Sequence, residues 1–68
     1  MIKPENRIIG RRCKEFRESL GFLQSHVAAD TGYHESTISS FETGRDKNMY
    51  ILLWYLDHGM TINQIRGK

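Results

Sequence analysis

Apolar side chains recur along this chain at helical intervals. Ile9, Cys13, Phe16 and Leu20 follow one another at spacings of four, three and four, which lines one side of an amphipathic helix. Arg11, Arg12, Lys14, Glu15 and Glu18 fall off that stripe, Pro4 suits a first helical turn, and Gly21 supplies a stop. A first helix over about residues 5–20 is therefore expected. In residues 22–32, Val27, Ala28 and Thr31 share a face, and Gly32 ends a helix of about eight residues. The segment from Tyr33 to Gly44 repeats the format, with Ile38 and Phe41 inward at i and i+3. Its Ser and Thr residues favour caps and turns over helix interiors, so tertiary packing must hold this third helix. Arg45 to Tyr50 reads as a loop, and residues 51–58 read as an apolar-rich helix stopped by Gly59. Thr61 is the N-cap of a last short helix over residues 62–66, with Ile62 and Ile65 on one side. Strict two-residue alternation persists nowhere, so strands are not expected. The expected fold class is all-α: five short helices in a single domain, residues 1–68.

Composition narrows the class of function. The chain has 68 residues, is 38% apolar and has a mean hydropathy of −0.56. Its longest strictly apolar stretch, residues 51–56, is far short of the roughly twenty residues of a membrane span. Lys3, Pro4, Glu5, Asn6 and Arg7 do not resemble a signal peptide. One cysteine permits neither an intramolecular disulfide nor a cysteine-only metal site, which fits a reducing, cytoplasmic setting. None of the three histidines has a partner at ligand spacing, so no metal and no cofactor is expected, and Cys13 reads as a buried thiol. No nucleophile with its base, carboxylate pair or phosphate-cradling glycine loop is recognisable, and no small-molecule ligand is evident. A chain this short favours a binding module over an enzyme. Ten Lys and Arg against eight Asp and Glu give +2, which does not by itself indicate nucleic acid.

Two short helices joined by a tight turn, over about residues 24–43, form the helix-turn-helix format. The second helix of such a pair enters the major groove of DNA, about 12 Å wide, with a short polar face while its other face holds the core. With Ile38 and Phe41 inward, Glu35, Ser36 and Ser40 lie outward, and such side chains suit contact with base edges. Charge is distributed unevenly. Residues 21–44 hold no Lys or Arg and three acids, Asp30, Glu35 and Glu42, while residues 1–20 carry six bases against three acids and residues 45–68 four against two. Attraction to DNA must then come from the flanks.

The chain resembles the Cro/CI-type, or XRE-like, helix-turn-helix family, which has the lambda-repressor-like five-helix fold. The likeness runs from about Ile9 to Ile65. It is carried by Ile9-Gly10, Cys13, Phe16-Arg17 and Gly21-Phe22, then Gln24, Val27-Ala28 and Gly32, then Ser36, Ile38-Ser39, Phe41-Glu42 and Gly44. Tyr55-Leu56, Gly59 and Thr61-Ile62 resemble the closing helices. The resemblance implies that Gln24 bonds a backbone phosphate and braces the recognition helix, and that Glu35, Ser36 and Ser40 read bases. It further implies that Thr43, Arg45, Lys47 and Asn48 grip phosphates, joined by His34 at the head of the recognition helix. Arg17 and Glu42 match a charge pair tying the first helix to the end of the third. Three positions depart from the pattern: Leu23 and His34 stand where Ser or Thr caps are usual, and Met49 lies near a customary proline.

Several residues admit two readings. Glu35 either accepts from cytosine N4 or steadies its own helix dipole. His26 and His34 either gain charge and affinity on acidification or are ordinary surface residues. Arg7, Arg11 and Lys14 either touch the DNA backbone or form a solvated helix face. The apolar run at 51–56 cannot all face one core, so Trp54 and Tyr55, with Ile62 and Ile65 of the last helix, are expected to contribute a dimer surface. The expected function is a bacterial, phage or mobile-element transcription regulator that binds double-stranded DNA. It acts as a homodimer on a palindrome with half-sites about 34 Å apart, repression by promoter occlusion being the simplest mode. The alternative is a protein-interaction module on the same fold, an antitoxin-like or anti-repressor partner.

Overall fold

A computed structural model describes residues 4–66, which form five α-helices: α1 (Pro4–Ser19), α2 (Gln24–Thr31), α3 (Glu35–Glu42), α4 (Met49–Asp57) and α5 (Ile62–Arg66). No strand occurs among the described residues. Lys3 and Lys68, counted above in the flanking charge, lie outside them. The long α1 is the spine and packs on α3, α4 and α5, while α2 packs on α3 and α4. The core is built from Cys13, Val27, Ile38, Phe41, Ile51, Trp54, Tyr55, Met60 and Ile65, with Ile9, Phe16 and Phe22 partly covered beside it. Among the described residues, no helix is long and apolar enough to cross a membrane.

The apolar stripe of α1 is realised only in part. Cys13 is fully buried, but Leu20 is exposed, because α1 ends at Ser19 and Gly21 turns the chain at φ +81°. The inward positions are Gly10, Cys13 and Arg17, which recur at three and four. Gly10 is required there. A Cβ on it would come within 2.5 Å of the carbonyl oxygens of both Phe41 and Glu42, so α1 crosses the end of α3 backbone against backbone. Gly44 repeats the device at φ +87°, where a Cβ would lie 2.6 Å from the Cα of Arg7. The Cys13 thiol donates to Met60 Sδ at 3.8 Å. Burial, with the nearby Glu42 charge adding to it, pushes this thiol up to about 12, which makes it an inert core group.

Caps set the remaining helix starts. Asn48 Oδ1 accepts from the amides of Tyr50 (2.9 Å) and Ile51 (3.3 Å), so α4 begins at Met49, two residues ahead of the expected 51. Thr61 and Gln64 form a reciprocal capping box at α5, with bonds of 3.1 and 2.7 Å. α2 starts at Gln24, and Leu23 at its N-cap position offers no side-chain cap, as the residue type implies. Arg12 secures the other end of α5 by donating to the Ile65 carbonyl at 2.9 Å.

Candidate nucleic-acid interface

α3 is fastened from beneath by one carboxylate. Glu42, almost wholly buried, accepts from Arg17 Nε (2.8 Å) and Nη2 (3.1 Å), from Gln24 Nε2 (3.0 Å) and from the Tyr55 hydroxyl (2.6 Å). The remaining Arg17 nitrogen, Nη1, donates to the Phe22 carbonyl at 2.6 Å. Burial alone would raise the pKa of Glu42. The hydrogen bonds from Arg17, Tyr55 and Gln24 and the Arg17 charge outweigh it, so the carboxyl sits below its usual range. The same bond raises the pKa of Arg17, against a lesser opposing effect of burial. Burial and the bond to Glu42 keep the Tyr55 phenol protonated. Four of the five helices thus meet at one anion, and among the described residues no buried side-chain nitrogen or oxygen lacks a partner.

Ile38, Phe41 and Glu42 point into the core, so the opposite side of α3 presents hydroxyls: Ser36, Ser39, Ser40 and Thr43. Glu35 is exposed at the helix start. His34 caps the helix despite its residue type, because its Nδ1 accepts from the Ser36 amide at 3.1 Å. Ser36 Oγ lies 2.9 Å from the same Nδ1. Thr43 Oγ1 donates to the carbonyls of Ser39 (3.0 Å) and Ser40 (3.2 Å) of its own helix.

The loop after α3 folds back on it. The amides of Arg45 (2.8 Å) and Asp46 (3.2 Å) both donate to the Ser40 carbonyl. Exposed Arg45 and Lys47 follow directly, and the contact at Gly44 brings the exposed Arg7 of α1 to the same end. Of the three acids in residues 21–44, Glu42 is neutralised. Asp30 Oδ2 accepts from Trp54 Nε1 at 2.9 Å and lies 3.8 Å from His26 Nε2. Glu35 is then the one acid on the outer side of α3.

The expected phosphate ligands divide by what their atoms already do. Arg45, Lys47 and His34 are exposed, and His34 spends Nδ1, not Nε2, on the cap. Gln24 has bonded one amide hydrogen to Glu42, which is the bracing role, and keeps a second. Asn48 has its Oδ1 occupied by the α4 cap and retains its amide donors. Thr43 has its single hydroxyl hydrogen on α3 itself, so in this arrangement it cannot also donate to a phosphate.

The expected dimer surface needs correction. Trp54 is 6% exposed, Tyr55 0% and Ile65 9%, so these three are core; only Ile62 is at the surface. Tyr55 turns inward because its hydroxyl has a buried partner in Glu42, and its ring stacks on Phe41 at 5.8 Å. Trp54 is covered by Phe22, Tyr55 and His58, the last stacked at 3.8 Å. The apolar groups that α4 leaves outside are Met49, Tyr50 and Leu53, with Ile8 of α1 exposed as well.

Among the described residues, no three His, Cys, Asp or Glu side chains gather as a metal-binding group. No family model, curated protein or solved structure matches the chain.

Proposed function

We propose that the chain is a sequence-specific double-stranded DNA-binding regulator, a small Cro/CI-type domain of lambda-repressor-like fold that places α3 in the major groove. The observation that carries this reading is the construction of α3. An eight-residue helix is bolted from below by a fully satisfied ion-pair network and shows small polar side chains outside, with Arg7, Arg45 and Lys47 at one end. A rigid support under a short polar helix is what base readout requires. Glu35, Ser36 and Ser40 are the readers. Arg45, Lys47, Gln24, His34 and Asn48 hold the phosphates. The protein works in the cytoplasm of a bacterium, phage host or mobile-element carrier, and blocks a promoter by occupying it.

Binding is as a homodimer, since one domain of this size makes few contacts. The large apolar side chains left uncovered for such contact are Met49, Tyr50 and Leu53 of α4 and Ile62 of α5.

One observation favours a second reading, a protein-interaction module. The same four apolar groups are exposed, and no cation lies anywhere in residues 21–44. Salt separates the two. Affinity for a mixed-sequence duplex, followed by fluorescence anisotropy, should fall steeply with salt, with a log–log slope of about −0.9 per phosphate neutralised. Arg45→Ala and Lys47→Ala should each flatten that slope by about one unit. A folded protein with no salt-dependent duplex binding belongs to the second reading.

A further inference from the structure

We infer that α1 carries a second phosphate-gripping surface: its exposed row Arg7, Arg11 and Lys14 holds the DNA backbone beside the groove that α3 enters, in line with Arg45 and Lys47. This rests on the DNA-binding reading and names where its electrostatic attraction comes from. Residues 21–44 hold no Lys or Arg, so α2 and α3 bring no such cation of their own to a polyanion.

The contacts of α1 fix which way the row faces. α1 meets the end of α3 along Gly10, against the Phe41 and Glu42 carbonyls, and along Arg17, which bonds Glu42. At 3.6 residues per turn, Ile9, Cys13 and Phe16 lie about 60–120° to one side of Gly10, and Lys14, Arg7 and Arg11 about 40–100° to the other. The first side is the core side: Cys13 bonds Met60, and Ile9 lines a small cavity with Phe41 and with Leu52 of α4. α3 turns Ile38 and Phe41 to that same core, Phe41 stacking on Tyr55 of α4, and so turns Ser36, Ser40 and Thr43 away from it. The basic row lies across the α1–α3 contact from α4, and therefore faces the way the outer side of α3 faces.

The row is also unspent. All three side chains are exposed. Glu15 and Glu18 stand one turn beyond Arg11 and Lys14, yet the ion pairs among the described residues are Arg17–Glu42 and His26–Asp30. Like charges spaced by four and three oppose the helix that carries them, so the row works against the fold, and a polyanion relieves it. The close approach of Gly44 to the Arg7 Cα joins the row to Arg45 and Lys47. Five cations then form one band past the carboxyl end of α3, with Asp46 within it and Glu18 at its far edge.

The test is duplex binding by the full-length chain, followed by fluorescence anisotropy over a range of salt. Arg11→Gln combined with Lys14→Gln keeps good helix formers and removes two charges, so the melting temperature should be unchanged or raised. The log–log salt slope should flatten by about 0.9 per charge removed, or close to two units for the pair. Affinity should fall alike on a selected duplex and on its scrambled sequence, because phosphate contacts carry no base preference. Arg66→Gln removes an exposed cation beside Ile8 and Arg12, on another side of α1, and should leave the slope as it is. Methylphosphonate links placed singly along each strand should find positions where wild type weakens and the double variant does not. An unchanged slope in the double variant while Arg45→Ala flattens it, or the same flattening per charge in Arg66→Gln, overturns the inference and leaves DNA binding standing. A folded wild type with no salt-dependent duplex binding overturns the DNA-binding reading and this inference with it.

Discussion

The two ends of α3 carry polar clusters of opposite character. At the carboxyl end, Glu42 is buried and accepts from Arg17, Gln24 and Tyr55. At the amino end, His34 and Ser36 bond each other and the backbone on the exposed surface. The bond lengths are similar, but the consequences are not. Breaking a buried pair strands a charge where water cannot reach it, whereas breaking an exposed bond hands its atoms to water. The carboxyl end therefore decides whether α3 is held in place, and the amino end decides what α3 presents.

The largest effect should come from the buried end. Arg17→Met leaves Glu42 charged without its cation and should cost about 3–5 kcal/mol in urea unfolding. That is a large part of the roughly 3–10 kcal/mol available to a domain of this size. A cost under 1 kcal/mol would mean the network is wetter than its geometry. Tyr55→Phe keeps the ring and removes one bond to a charged acceptor, and should cost about 1.5–3 kcal/mol. Acid sharpens the same point. Because folding lowers the pKa of Glu42, its stabilising contribution is complete above the unfolded value of about 4.3 and disappears as pH falls through the folded value. The stability gap between wild type and Glu42→Gln should therefore narrow below about pH 4. A gap that stays constant down to strong acid would contradict the assignment.

Exposed caps come next. Asn48→Ala removes the two bonds that start α4 and should cost about 1 kcal/mol, with His34→Ala costing less than that. Smallest in stability is Ser36→Ala, within about 0.5 kcal/mol, although its base preference should shift the most. If Ser36→Ala destabilises as much as Tyr55→Phe, the contrast between the two ends is wrong.

How much of this was legible in the sequence depended on contrast between neighbours. The helices and their glycine stops stand out because apolar and polar positions alternate at helical spacing around Cys13, Val27 and Ile38. Residues 51–56 are apolar throughout, so periodicity cannot say which side faces in. The pattern therefore offers Tyr55 and Trp54 as a dimer surface, and the polar partners that draw them inward, Glu42 and Asp30, lie thirteen and twenty-four residues away. Arg17 sits inside for the same kind of reason: its charge is matched by Glu42, twenty-five residues on. The resemblance supplied that pair and the bracing role of Gln24, but not Tyr55 as the third donor. Asn48 before an apolar run is a readable cap signal, but the polar residues around it at 45–48 read equally well as a loop. The His34 cap on the Ser36 amide could not be read at all, because residue ranking places histidine among poor caps.

The central claim is that the outer face of α3, and not the apolar side of α4, meets DNA. Amide chemical shifts of the labelled chain, titrated with a short duplex carrying one half-site, test it directly, since a single half-site engages one copy. Shifts concentrated at residues 34–36, 40 and 43–47 are the predicted result. Shifts centred on Met49, Tyr50, Leu53 and Ile62 with α3 unmoved would contradict it.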